Sequence, residues 1–282
     1  MAGKSVKLSL RMPVEHGAWG ILLVPFLCAA SVAGRWNEPL LLSGVCALSL
    51  FLLRGSLEAQ ASPAPARTGS AERRIWLQPA HLILAAASGA TAGLLVFLYR
   101  REQLLWVGFG AAVLYLLQRR LVEAHQAHRT EKRSLAAKVV GVALLTLTAP
   151  TAWIASHRAL DTTGVKVWLL NLLFFLSSIL YVKYRVRAIL AHRDFRRVGE
   201  CLAFAWPVFL YHFLLVAFLA CWVILDLQPA AVLLAFVPGI LRGNGLLFQL
   251  GRRFTIPRLG WNEMLHAAAF AVVLVLAFRV WG

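Results

Sequence analysis

Apolar positions run along this chain in long blocks without period-2 alternation, and polar positions collect between the blocks. Nine blocks read as membrane-spanning helices: 18–34, 39–54, 81–99, 103–118, 135–155, 167–183, 201–225, 229–248 and 262–281. A span needs about 20 predominantly apolar residues, so several blocks sit at the short limit, and 39–54 is the weakest candidate. Blocks of Leu, Ala and Phe without alternation select helices over a barrel, because a lipid-embedded backbone must satisfy its amides internally. The expected fold is all-α: a polytopic transmembrane bundle of about nine helices. It comprises a tail (1–17) and one helical domain (18–282), interrupted by a mobile inner loop at 58–78.

Composition agrees with this pattern. Hydrophobic residues make up 60% of the 282 positions and mean hydropathy is +0.71, more apolar surface than one soluble core buries. Lys4, Lys7 and Arg11 precede the first block, and most of the 29 Lys and Arg fall on the same side of the bundle. The positive-inside rule then puts the N-terminus in the cytoplasm and the C-terminus outside. The formal charge of +17 is accordingly a topology signal that also suits anionic headgroups. Nucleic-acid binding is not expected, since the basic loops lack aromatic interleaving. The first block lacks a small-x-small cleavage site and is read as a retained helix. Cys28, Cys46, Cys201 and Cys221 lie in apolar blocks without CxxC spacing and read as small hydrophobes.

The inner connections carry most of the polar chemistry. Ala61 to Ala71 is rich in Pro and small residues, the composition of a linker. Gln118 to Arg133 has mixed charge at helical spacing; His125 and His128 there read as part of a solvated face, because no further ligand sits at metal spacing. The sixth block leaves the membrane as LYVKYRVRAILAHRDFRR, with Tyr181 and Arg185 on one face and Lys183 and Arg187 on another. Either these cations snorkel to headgroups, or they form an anion site facing an inner cavity.

Polar groups inside spans carry more information, since an ionisable group there costs about 2.5–3.5 kcal/mol even on the insertion scale. His212 lies midway along the seventh block, and Arg242 follows a Pro238-Gly239 pair that could break or bend the eighth. Glu263 and His266 share a face at the start of the last block. Glu-x-x-His is half of a di-metal bundle motif, and a single copy argues against such a centre. No metal or cofactor is expected. Arg242 could instead pair with Glu263 on the adjacent helix, making both charges tolerable. Glu15 and His16 stand at the mouth of the first helix as a cap or a ligand contact. Trp19, Trp76, Trp106, Trp168 and Trp261, near helix ends, read as interfacial anchors.

Four stretches, PVEHGAWGILLVPFL, SSILYVKYRVR, FLYHFLL and LGWNEMLHAAAFAVVLVLAFR, occur in an order that resembles the YwiC-like bacterial membrane proteins. More distantly, nine helices with the busiest inner loops after the second and sixth are similar to the UbiA superfamily of intramembrane prenyltransferases. That likeness implies two aspartate-rich motifs holding Mg2+ and a prenyl diphosphate at those loops. Here Arg54 and Glu58 stand at one, and Tyr181, Lys183, Arg185, Arg187 and Asp194 at the other. Clustered carboxylates for Mg2+ are missing, so metal-dependent prenyl transfer is not expected.

The expectation is therefore direct binding of an anionic lipid, isoprenoid or quinone-like ligand from the cytoplasmic side. Arg54, Lys183, Arg185 and Arg187 would hold the anion, and Glu263 and His266 would orient it. The alternatives are a metal-independent transferase and a non-enzymatic carrier or accessory subunit docked to a membrane protein partner. For a carrier, His212 and Arg242 are the informative residues.

Overall fold

A computed structural model describes residues 16–61, 79–128, 131–190, 197–245 and 256–281. Their backbone is helical throughout, with no strand among the described residues. In chain order the helices are α1 (His16–Ala33), α2 (Glu38–Ala61), α3 (Pro79–Gly93, continued by a π turn at Leu94–Leu98), α4 (Gln103–His128), α5 (Glu131–Thr146), α6 (Thr148–His157), α7 (Thr162–Leu190), α8 (Val198–Ile224), α9 (Val232–Asn244) and α10 (Ile256–Val280). Because α5 and α6 run on as one bent rod, the described residues form nine rods, as the nine apolar blocks predict.

Seven of these rods are long and apolar enough to cross a membrane, which makes the chain a membrane protein. Two of the expected lengths change. The second rod runs from Glu38 to Ala61 and is fully long enough, because helix continues through the polar LRGSLEAQA stretch. The short rods are α1, with an apolar part at Gly17–Ala33, and α9, at Val232–Gly243. The proposed loop 58–78 begins inside α2; positions 62–78 lie outside the described residues.

Prolines set the bends. Pro150 cannot donate to the Thr146 carbonyl, and the rod breaks at Leu147 between α5 and α6. Pro207 lies two residues beyond Ala205, whose φ of −108° and ψ of 18° mark a kink in α8. Pro238 lies inside α9 without breaking it, so of the break or bend expected at the Pro238-Gly239 pair the break does not occur.

The centre of the bundle is α1, α6 and α7. Small side chains allow this: Cys28, Ala29 and Ala30 of α1 are buried in one cluster with Ala149 and Ala152 of α6. Thr148 closes the contact by donating to the Leu22 carbonyl at 2.8 Å, one turn before Pro25. Around this centre α2 packs on α3 and α6, α4 on α5, and α10 on α1 and α9. An aromatic stack fills the space among α7, α9 and α10: Phe174 lies parallel to Phe270 at 4.1 Å, and Phe236 meets Phe270 edge-on at 5.2 Å. Cys28 and Cys201 are buried as expected, whereas Cys221 is exposed on α8. Trp106 and Trp261 project outward from their rods.

Gly164 admits α7 against buried Trp153, since a β-carbon there would lie 2.6 Å from the indole. Gly164→Ala is expected to destabilise the protein by about 1–3 kcal/mol. Gly89→Ala, on an exposed position with open space around it, is expected to be neutral or slightly stabilising, as thermal unfolding in detergent will measure.

Candidate functional site

Polar residues of α7, α8, α9 and α10 converge at one level of the bundle. Ser178 lies 16 residues into α7 and Glu263 lies 17 residues before the end of α10. At 1.5 Å per residue both are about 24–26 Å from the ends of their helices that face the α6–α7 connection, so in an apolar layer about 30 Å thick they share one level toward its opposite side. The core of the cluster is an ion pair, with Arg242 Nη1 at 2.7 Å from Glu263 Oε2. It is dry: the two side chains are 6% and 11% exposed.

Three further contacts hold it. The Ser178 hydroxyl donates to Glu263 Oε2, making that oxygen the acceptor for two helices at once. The Tyr181 ring covers the face of the Arg242 guanidinium, whose central carbon lies 4.8 Å from the ring centroid. One turn earlier on α7, Ser177 Oγ lies 2.7 Å from His212 Nε2 of α8. His212 in turn sits against Gly243, where a β-carbon would fall 2.0 Å from its ring. Glycine beside Arg242 is thus a packing requirement of the same site.

The pair leaves polar capacity over. Nη1 of Arg242 is used, but Nε and Nη2, the side edge of the guanidinium, are buried without a hydrogen-bond partner among the described residues. Glu263 Oε1 and His212 Nδ1 are likewise buried and unpartnered. A guanidinium side edge is a fixed two-donor fork that matches the oxygens of a carboxylate or phosphate. The arrangement can therefore recognise an oxyanion or a strongly polarised carbonyl, while Glu263 Oε1 accepts only from a ligand group that carries a proton, such as a hydroxyl.

Not every expected residue comes to this place. Arg185 is buried on the face it shares with Tyr181. Arg187 is exposed, over the Phe204 ring at 5.4 Å, and Lys183 is half-buried. His266 shares the α10 face of Glu263, but its Nδ1 is within 2.6 Å of the Asn262 carbonyl, on its own helix. Arg54 is elsewhere, bonded to Glu58 at 2.8 Å and lying 5.4 Å from the Tyr115 ring centroid, so its partners are on α2 and α4. Glu15 and Asp194 lie outside the described residues, as does the side chain of His16. Ser177 and Ser178 were not among the expected site residues. Their signal was the helical spacing that puts Ser178, Tyr181 and Arg185 in one row at i, i+3 and i+7.

Arg242→Ala leaves Glu263 charged, buried and unpaired, and is expected to cost about 3–5 kcal/mol of stability. Replacing both partners, Arg242→Met with Glu263→Met, is expected to recover most of that loss in the same denaturation measurement.

The comparisons with known proteins bear on the whole chain. The family model described as YwiC-like protein matches residues 12–153. Over 271 residues the chain is 27% identical to "Uncharacterized protein YwiC" of Bacillus subtilis (strain 168), covering 94% of this chain and 97% of that relative. No solved structure matches. The family match spans half of the chain, and the chain belongs to the YwiC-like family.

Proposed function

We propose that this protein binds the anionic or carbonyl headgroup of a membrane-soluble ligand, an anionic lipid, isoprenoid or quinone, at the Arg242 side edge. The single observation that carries this reading is a guanidinium fork, buried and unpartnered among the described residues, on an arginine otherwise fully immobilised by Glu263, Ser178 and Tyr181. An intramembrane arginine kept only to hold two helices together gains most when all its donors are satisfied; this one has two without a partner among the described residues. Lys183, Arg185 and Arg187 form the cationic approach.

The site faces the cytoplasm of a bacterial inner membrane in this reading, with the N-terminus inside and the C-terminus outside. The support is the concentration of Lys and Arg on that side. The chain acts as a binding protein or carrier, with Glu263 orienting the headgroup.

Arg242→Lys retains the charge that Glu263 needs but removes the fork. Native mass spectrometry with lipid extraction is expected to find a co-purifying anionic lipid, isoprenoid or quinone on the wild type and about tenfold less on Arg242→Lys. The Tyr181→Phe variant, which keeps the ring beneath the guanidinium, is expected to retain it. An unchanged ligand complement in Arg242→Lys overturns the proposal and leaves the pair as a helix clamp.

A further inference from the structure

The opposite end of the bundle is poor in cations: its described connections and helix ends hold Arg35, Arg100, Arg101, Arg158, Lys166 and Arg279. Two of these are spent on backbone, since Lys166 Nζ donates to the Leu227 carbonyl at 2.5 Å and Arg279 Nε to the Ser31 carbonyl at 3.0 Å. Three of the others gather around one histidine. Arg101 is only 6% exposed, and its Nε and Nη1 are buried without a hydrogen-bond partner among the described residues. His157 lies within electrostatic reach of Arg35 and Arg101, and Arg101 within that of Arg158. The His157 ring is fixed by stacking on Trp153 at 4.7 Å, and its Nδ1 is buried and unpartnered.

The nearby carboxylates form no ion pair with Arg101 among the described residues, although Asp161 is within electrostatic reach of His157. Asp161 Oδ1 accepts from the Gly164 amide at 2.8 Å, acting as the N-cap of α7. Glu38 Oε2 accepts from the Tyr99 hydroxyl at 2.6 Å. Glu102 is exposed and makes no ion pair among the described residues. Arg101 is left with like charge beside it: burial, and then the Arg158 charge, hold its guanidinium below the usual arginine range.

The geometry is built in advance of any ligand. Asn37 Nδ2 donates to the Ser156 carbonyl at 3.4 Å, and the Leu160 amide donates to Gln103 Oε1 at 2.8 Å, so the three connections 34–37, 99–102 and 158–161 are tied together. The π turn at Leu94–Leu98 feeds directly into this corner, with the Arg101 amide donating to the Leu95 carbonyl at 3.0 Å. Arg100 and Arg158 hold φ of 54° and 74°, a left-handed conformation that a long side chain seldom adopts.

We propose that this corner is an oxyanion site at the non-cytoplasmic end of the bundle. Arg101 is its buried donor, and Arg158 and Arg35 its exposed rim. Phosphate or carboxylate oxygens are the groups that three guanidiniums and an imidazole recognise, whether carried by a solute or by a lipid headgroup. The site is separate from the Arg242 cluster and does not depend on that reading.

The test uses the full chain in phosphatidylcholine nanodiscs, titrated with inorganic phosphate at constant ionic strength while the melting temperature is followed. A second arm omits phosphate and replaces part of the lipid with phosphatidylglycerol. A saturable rise in the first arm assigns a soluble oxyanion, and a rise confined to the second assigns a headgroup; both support the site provided Arg158→Ala weakens the response by about tenfold or more. Arg158 is exposed, so its removal leaves the fold in place, and Arg101→Lys provides a second reading that keeps the charge. Gly89→Ala, at an exposed position with open space around it, is expected to leave the phosphate response unchanged. No saturable response in either arm, a response untouched by both Arg158→Ala and Arg101→Lys, or one abolished by Gly89→Ala instead overturns the proposal.

Discussion

A guanidinium and a carboxylate inside an apolar layer need each other, and the arrangement of α7, α8, α9 and α10 follows from satisfying that need. Each charge alone carries an insertion cost of about 2.5–3.5 kcal/mol. Paired at 2.7 Å, with Ser178 donating to the carboxylate and Tyr181 covering the cation, they become a cross-link between α9 and α10 referenced to α7. Position 243 is then constrained as well. Arg242 faces Glu263, so the next residue falls against His212 of α8, and only glycine leaves room for its ring.

The same helices are apolar on the other side of this level. Phe174, Phe236 and Phe270 form a stacked core in which Gly239 passes close to Phe174, a β-carbon there meeting the ring at 3.5 Å. Polar and apolar requirements are thus met by one short helix, α9, whose two glycines face two different rings. Its shortness has a physical meaning: Val232–Gly243 is too brief to span a bilayer by itself, so its position depends on its neighbours rather than on lipid. The ion pair gives it one.

Much of this was legible before any coordinates. The nine apolar blocks map onto the nine rods, and Arg242 and Glu263 are recognisable as partners because two lone opposite charges on successive spans have few other ways to be tolerated. The second block was undervalued because Arg54, Glu58 and Gln60 look like a loop, whereas Arg54 and Glu58 pair at i,i+4 and keep the helix going. That pairing holds Arg54 beside Glu58 and Tyr115, apart from the Arg242 cluster. Ser177 and Ser178 carried no charge to draw attention, and their role depends on which residues of α8 and α10 face them. Arg101 and His157 lie on connections 56 positions apart, joined only by the packing of helix ends. Spacing along a sequence cannot express that juxtaposition.

One arrangement invites a catalytic reading and is better explained by packing. Ser177 and His212, hydrogen-bonded at 2.7 Å in an enclosed site, resemble a nucleophile and its base. A working pair requires a third group to orient the imidazole through its other nitrogen, and His212 Nδ1 has no such partner among the described residues. The motif also recurs between another pair of rods: Ser56 of α2 and His81 of α3 are both buried, with Oγ and Nε2 at 2.9 Å. In both cases a hydroxyl on one rod meets an imidazole on the next, so each polar side chain satisfies the other between two apolar helices. Repetition of one geometry in two different surroundings identifies it as a way of joining consecutive rods. The Arg242 edge and the Arg101 corner differ from it in leaving buried guanidinium donors without a partner among the described residues.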